Sequence, residues 1–218
     1  MPSANSFEIS VGARGSKLSQ AQVWEVHREL LHYHPHIKFK PTWITTMGDK
    51  DKKTSLRDLD KTDFFTREVD QLQLKGEFRI SVHSAKDLPE PLVPGLKIIA
   101  LTQGIDPSDV LVYNQELPAN AIIATSSHRR EQNLREWKEG LRFADIRGTI
   151  EERLAILDRG EVDGVVMAEA ALIRLGLMHR KRMPIPGMAA PMQGRLAVIA
   201  LSTDHEMEEL FRCIDHRF

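Results

Sequence analysis

The stretch AIIATSSHRREQNLREWKE, residues 121–139, decides the fold. Ile122, Ile123 and Ala124 form a short apolar run of strand type. The residues from Ser127 onward have helical character, and Ser126 and Ser127 stand where a helix N-cap belongs. A strand that turns directly into a helix is one half of a β–α unit, and the same punctuation recurs on either side. Downstream, LRFADI and VDGVVMA read as strands, each followed by a helix, TIEERLAILDRG and EAALIRLG. Upstream, FEISVGAR reads as a strand ending near Gly12, and SKLSQAQVWEVHRELLHYH as a helix capped by Ser16. IKFKPTWITT reads as a strand despite Pro41, TDFFTREVDQLQLKGE as a helix starting near Thr62 or Asp63, and FRISVHS and LKIIALT as strands. Strands alternating with helices predict an α/β sheet protein.

The pattern starts, is interrupted by the proline-rich LPEPLVPG, and starts again. Two α/β lobes with a cleft between them are therefore expected. Lobe 1 is assigned residues 5–102 and 193–204, lobe 2 residues 106–188, and residues 205–218 a terminal helix, the remnant or start of a third domain. KRMPIPGMAAPMQG reads as a linker, and RLAVIALS as the last strand. In open α/β sheets ligands sit beyond the carboxyl ends of the strands, so the strand-to-helix corners are where chemistry is sought.

Composition narrows the classes. The 218 residues are 41% hydrophobic and 28% charged, with a formal net charge of -1. There is no global basic field to attract nucleic acid or a membrane surface. The N-terminus lacks a basic segment followed by an apolar core, and no apolar run approaches bilayer length. The single cysteine, Cys213, excludes an intrachain disulfide and fits a reducing compartment, so a cytoplasmic location is expected. It also excludes a cysteine-rich metal site, and HExxH, GxxxxGK[ST] and GxGxxG are all missing, so no metal is expected.

Against that neutral background, three corners concentrate basic and hydroxyl residues. The first is VGARGSKLS, with Arg14 and Ser16. The second is TSSHRR, with Ser127, Arg129 and Arg130. The third is DIRGT, with Arg147 beside Gly148 and Thr149. Backbone N–H groups at a helix N-terminus and planar guanidinium groups both suit an anion such as a carboxylate or phosphate. The plain alternative, solvated surface charge, weighs more for Arg153 and Arg174, which lie within helices. A fourth stretch, SVHSAKDLP, sets His83, Lys86 and Asp87 at a strand end. Asp87 is a candidate for accepting N–H donors, stabilising a developing cation or moving protons, although for a lone KD an ordinary Asp–Lys pair in a loop weighs more. His83 reads as a packed strand histidine, and His128 as helix surface.

Taken in order, VGARGSKLSQAQ, ITTMGDKD, FFTREVDQLQLKGEFRISVHSAKDLP, PSDVLV, IIATSSHRREQNL, DIRGTIEERLAIL and AEAALIRLG resemble the porphobilinogen deaminases, also called hydroxymethylbilane synthases. The resemblance covers nearly all of residues 9–176. It implies a fold like the type II periplasmic binding proteins. It also implies the head-to-tail joining of four porphobilinogen molecules into a linear tetrapyrrole with loss of ammonia. By this resemblance Asp87 is the catalytic carboxylate, binding pyrrole N–H groups and steadying the cationic azafulvene. Arg14, Ser16, Lys86, Ser127, Arg129, Arg130, Arg147, Arg153 and Arg174 match carboxylate-binding positions. The partner implied is the small molecule porphobilinogen, with neither nucleic acid nor membrane, and a monomer is expected.

The resemblance also implies a dipyrromethane primer, held by a thioether to a cysteine in a third domain. Cys213 falls on a helix before the place of that attachment loop, so the attachment cysteine is not found in this chain, and the rest of that domain is expected to be absent. Two further departures stand out. The family's GQGA is MQGR here, with Arg195 in place of a small residue, and a cofactor-binding lysine falls on Thr62 by count, with Lys61 one place off. A non-catalytic protein that binds porphobilinogen or a linear tetrapyrrole is the alternative.

Overall fold

In the computed structural model, residues 7–51, 54, 57 and 62–217 are described. The chain divides into two compact units. Unit 1 takes the described residues of 1–50, 61–104 and 195–218; unit 2 takes those of 51–60 and 105–194.

Unit 1 runs β1 (Phe7–Arg14), α1 (Lys17–Leu31), β2 (Ile37–Ile44), the short α2 (Met47–Lys50), α3 (Arg67–Leu74), β3 (Ile80–Ser84), a 3₁₀ turn (Ala85–Asp87) and β4 (Leu96–Leu101). The chain then builds unit 2 from β5 (Asp109–Tyr113), β6 (Ile122–Ala124), α4 (His128–Trp137), β7 (Arg142–Ala144), α5 (Ile150–Asp158), β8 (Gly164–Ala168), α6 (Glu169–Arg174) and β9 (Arg182–Pro184). It returns to unit 1 with β10 (Leu196–Leu201), α7 (His205–Phe211) and a second 3₁₀ turn (Arg212–Ile214).

Both sheets have five strands and the same plan. The order is β2-β1-β3-β10-β4 in unit 1 and β7-β6-β8-β5-β9 in unit 2. Three parallel strands come first, then an antiparallel strand: β10 against β3 and β4, and β5 against β8 and β9. Pro41 is tolerated because β2 is an edge strand, where a missing N–H breaks no inner ladder. Gly12 is required by packing. A Cβ there would fall 2.2 Å from the ring of Phe78, which is itself buried.

The core of unit 1 gathers Ile9, Val11, Val23, Leu30, Ile80 and Val82 with Met207, Phe211 and Ile214. The terminal helix α7 is thus packed into unit 1, where its fully buried Phe211 side chain contributes roughly 1.5–3 kcal/mol. Unit 2 packs α5 and α6 on one face of its sheet through Leu154, Leu157 and Leu172, and α4 on the other through Leu134.

Several elements differ from the sequence reading. The helix expected from Thr62 or Asp63 begins at Arg67, because Asp63 commits its carboxylate to the Arg67 guanidinium at 2.7 and 2.8 Å rather than to helix N–H groups. The stretch read as a linker contains β9, paired with β5 from Arg182 to Pro184. The strand β5 itself, in PSDVLVY, was not anticipated. The terminal helix stops at Phe211, after which His216 N–H bonds to Leu101 O at 2.8 Å and Asp215 accepts from Leu101 N–H at 3.0 Å. Those bonds to the β4 edge replace further helical turns.

Candidate functional site

In unit 1 the β1–α1 corner is built as its serine and glycines suggest. Ser16 is extended (φ -65°, ψ 149°) and its hydroxyl accepts from Ser19 N–H at 3.2 Å, capping α1. Arg14, the last residue of β1, lays its guanidinium over the Phe65 ring at 4.4 Å and donates from Nε to the Asp49 carboxylate at 3.1 Å. Asp49 also accepts from the Thr46 backbone N–H and hydroxyl, at 3.0 and 2.9 Å. Burial alone would raise the Asp49 pKa. The hydrogen bonds and charge of Arg14, with the Thr46 donors, outweigh it and hold the carboxyl below its ordinary value.

Arg14 and Ser16 line a shallow pocket open to solvent, with Gln22, Phe65, His83 and Asp87 among its other walls. Its far side is the end of β3. Gln22 Nε2 donates to Ser84 Oγ at 2.8 Å and fixes where the strand ends. The 3₁₀ turn that follows buries Ala85, with Leu88 buried just beyond it, and this anchoring leaves Asp87 exposed at the pocket. Among the described residues no donor meets the Asp87 carboxylate. Lys86 beside it is half-buried. His83 is buried, and burial together with the Arg14 charge pushes its pKa down to about 4.

In unit 2 two helix N-termini stand at the ends of the paired parallel strands β6 and β7. Ser127 caps α4, accepting from Arg130 N–H, and Thr149 caps α5 in a capping box with Glu152. Ser126 ties the two corners together: its hydroxyl accepts from Ile146 N–H at 3.0 Å and donates to Ile146 O. Arg147 donates to Asp51 O at 2.5 Å. Gly148 takes φ +101°, and its carbonyl accepts from Arg153 Nε at 2.9 Å. Arg174 donates to Gly194 O at 2.8 Å.

Arg129 and Arg130 converge on Asp109, the first residue of β5. Arg129 meets one carboxylate oxygen at 2.7 Å and Met188 O at 2.5 Å. Arg130, with Asp109 buried beside it, meets the other oxygen, where Gln193 Nε2 also donates at 2.8 Å. Burial raises the Asp109 pKa, but the Arg130 charge and the bonds from Arg130, Gln193 and Arg129 bring it below its ordinary value. Arg195 donates to Thr102 O at 2.7 Å and His216 O at 2.6 Å, which gives this larger residue a fixed place in unit 1.

The structure therefore brings Arg14, Ser16 and Asp87 to one pocket of unit 1, and Ser127, Arg129 and Arg130 to one corner of unit 2, joined by Ser126 to the corner of Arg147 and Arg153. Of the lysine position, Thr62 is exposed and Lys61 lies outside the described residues. Asp49, Asp109 and Gln193, which hold these corners, fall inside segments that carry the family resemblance, but neither periodicity nor spacing marks them as partners of Arg14 and Arg130. Among the described residues no group of three His, Cys, Asp or Glu could hold a metal ion, and no helix is long and apolar enough to cross a membrane.

A family model described as porphobilinogen deaminase, dipyromethane cofactor binding domain, matches residues 9–209. A probable porphobilinogen deaminase of Chlamydia pneumoniae is 38% identical over 208 residues, 93% of this chain and 88% of that protein. The porphobilinogen deaminase of Desulforudis audaxviator is 39% identical over 217 residues, 96% of this chain and 70% of that protein. Among solved structures, CbnR, a LysR family transcriptional regulator, matches with a TM-score of 0.56 at 14% identity, over 95% of this chain and 70% of that one. The probable amino-acid ABC transporter extracellular-binding protein YtmK of Bacillus subtilis matches with a TM-score of 0.52 at 12% identity, over 95% and 90%. At such identities the likeness is one of fold: a two-lobed α/β architecture with two mixed five-stranded sheets, as in periplasmic-type binding proteins.

Proposed function

The chain belongs to the porphobilinogen deaminase family, which sets it in tetrapyrrole biosynthesis, and on that premise we propose that it joins four porphobilinogen molecules head to tail into hydroxymethylbilane, releasing ammonia. The observation that carries this reading is Asp87: an exposed carboxylate, on a turn anchored by two buried side chains, at the wall of a pocket. Asp87 accepts the pyrrole N–H of porphobilinogen and stabilises the positive charge that develops as ammonia leaves. Arg14, Ser16 and Lys86 take substrate carboxylates near it. Within unit 2, Ser127, Arg129, Arg130, Arg147, Arg153 and Arg174 take the carboxylate-binding role that the family resemblance gives those positions. A growing chain of dicarboxylates calls for many guanidinium groups even in a protein of net charge -1. The protein acts as a cytoplasmic monomer.

The residues present fit the recognition of a dipyrromethane, because Asp87 is an open acceptor for pyrrole N–H groups and the arginines suit its carboxylates. When bound, that group supplies the pyrrole carbon to which substrate adds. They do not fit its thioether anchor. Cys213 is half-buried against the unit 1 core, its Sγ lies 3.4 Å from Leu210 O, and burial raises its pKa, all of which disfavour a thiolate nucleophile. This favours a second reading, in which the chain binds porphobilinogen or a linear tetrapyrrole without polymerising it.

Intact mass and ammonia release after incubation with porphobilinogen separate the two. Covalent pyrrole additions with ammonia release support the enzyme; calorimetric binding without either supports the binding protein. An adduct that disappears in Cys213→Ser would show that Cys213 is the anchor after all.

A further inference from the structure

Beneath the Asp87 pocket lies a buried chain of three polar side chains that the proposed chemistry does not use. Gln73, on α3, is fully buried. Its Nε2 lies 2.8 Å from Ile199 O and 3.2 Å from Arg79 O. Carbonyl oxygens only accept, so this end of the amide is the NH₂ group and the other end is its oxygen. That oxygen lies 2.8 Å from Ser81 Oγ. It too only accepts, so Ser81 donates its single hydroxyl proton there. What remains on Ser81 Oγ is lone pair, and His83 Nε2 lies 3.2 Å from it. The proton between them therefore belongs to Nε2. Ser81 is fully buried and His83 nearly so, and a reversed arrangement would leave buried donors or acceptors unmatched, at a cost the fold avoids.

We infer that His83 is a second acceptor of the Asp87 pocket: the Gln73–Ser81 relay holds it as the neutral Nε2–H tautomer, so that its Nδ1 lone pair receives an N–H of the bound substrate. The inference rests on the proposed porphobilinogen reading for the identity of the donor, and on the relay alone for the tautomer. His83 lines the same pocket as Asp87, and among the described residues nothing donates to its Nδ1. Burial and the charge of Arg14 act in the same sense, keeping the ring unprotonated near neutrality. Porphobilinogen carries N–H donors at its pyrrole nitrogen and its aminomethyl group. A neutral acceptor beside the Asp87 carboxylate holds such a donor without adding a positive charge that would oppose an ammonium or a developing cation.

The test uses the full chain with ¹⁵N-labelled histidine, the His83 resonances being assigned by their loss in His83→Asn. The relay predicts a neutral ring, protonated at Nε2, unchanged between about pH 5.5 and 8. Ser81→Ala should turn it into a mixture of tautomers. Wild-type His83 protonated at Nδ1, or charged at pH 7, overturns the relay. Porphobilinogen is then titrated while calorimetry follows binding on the same sample. A shift of Nδ1 toward a hydrogen-bonded value supports the acceptor role, and an analogue lacking the aminomethyl group tells whether the pyrrole N–H is the donor. Binding by calorimetry with Nδ1 unmoved overturns the acceptor role while leaving the porphobilinogen reading intact. No binding at all sinks that reading and the acceptor role with it, while the tautomer result still decides the relay.

Discussion

Two nitrogens of the Arg130 guanidinium meet a single oxygen of Asp109, at 2.9 and 2.6 Å, with both residues buried. The other oxygen is left to Arg129. The start of β5 is thereby tied to the first turn of α4, and Gln193 draws the segment before β10 onto the same carboxylate.

Asp109→Asn should destabilise the fold by about 3–5 kcal/mol, because it leaves the buried Arg130 charge without its counterion. Urea unfolding measures this. The folded pKa of Asp109 lies below the ordinary 3.8, so its contribution is fully present above that value and is lost as the pH falls below it. The Asn variant should show a shallower loss of stability on that acid limb. An unchanged midpoint would mean that the cluster holds nothing together.

Arg129 and Arg130 should part company. The Arg129 side chain is 30% exposed against 11% for Arg130, and its loss leaves Asp109 still neutralised by Arg130. Arg129→Ala should therefore weaken porphobilinogen binding by about 1.5–3 kcal/mol in calorimetry. Its unfolding midpoint should move less than that of Arg130→Ala. Unaltered affinity would reduce Arg129 to a structural partner of Asp109.

Among the described residues no hydrogen bond or ion pair ties Asp87 to the fold, and its side chain is exposed. Asp87→Asn should stay within about 0.5 kcal/mol of wild-type stability. Turnover of porphobilinogen should fall about 100-fold or more, the usual cost of removing a preorganised charge. Ammonia release at wild-type rate by a folded Asn variant would remove Asp87 from the chemistry.

Asp70 on α3 is 3% exposed, and burial, with Asp63 adding to it against the Thr66 hydroxyl, pushes its pKa up to about 6. The folded state then holds a proton that the unfolded state has lost. Stability must fall as the pH rises from 3.8 to about 6, by at most about 3 kcal/mol. Asp70→Asn should flatten that slope and gain about 1–3 kcal/mol at pH 7. Urea midpoints taken at each pH decide it, and parallel curves for the two proteins would show that folding leaves the Asp70 pKa unshifted.

What could be read from the sequence was local. Gly12, Ser16, Ser127 and Thr149 announce strand-to-helix corners because capping and close packing demand those residue types within a few positions. Asp87 and the arginines stand out through order and type, and His83 reads as a packed strand histidine and is buried on β3. What stayed hidden depends on distant partners. Gln73 bonds to Ile199, 126 residues away, and Asp109 to Gln193, 84 residues away. Neither pair leaves a periodicity or a spacing. β5 and β9 went unread because a buried apolar run and a proline-flanked triplet look alike whether paired or not.

The place of β10 in the sheet of unit 1 constrains how the protein comes into being. Synthesis proceeds from the N-terminus, yet β3 and β4 have no sheet partner between them until residues 196–201 leave the ribosome. All the strands of unit 2, residues 109–184, have emerged by then. The first half of the nascent chain must therefore wait with open strand edges while the second half can already close its own sheet, the long-range pairing that slows folding and invites aggregation. The last unit to finish is the one that began first, and it carries Asp87.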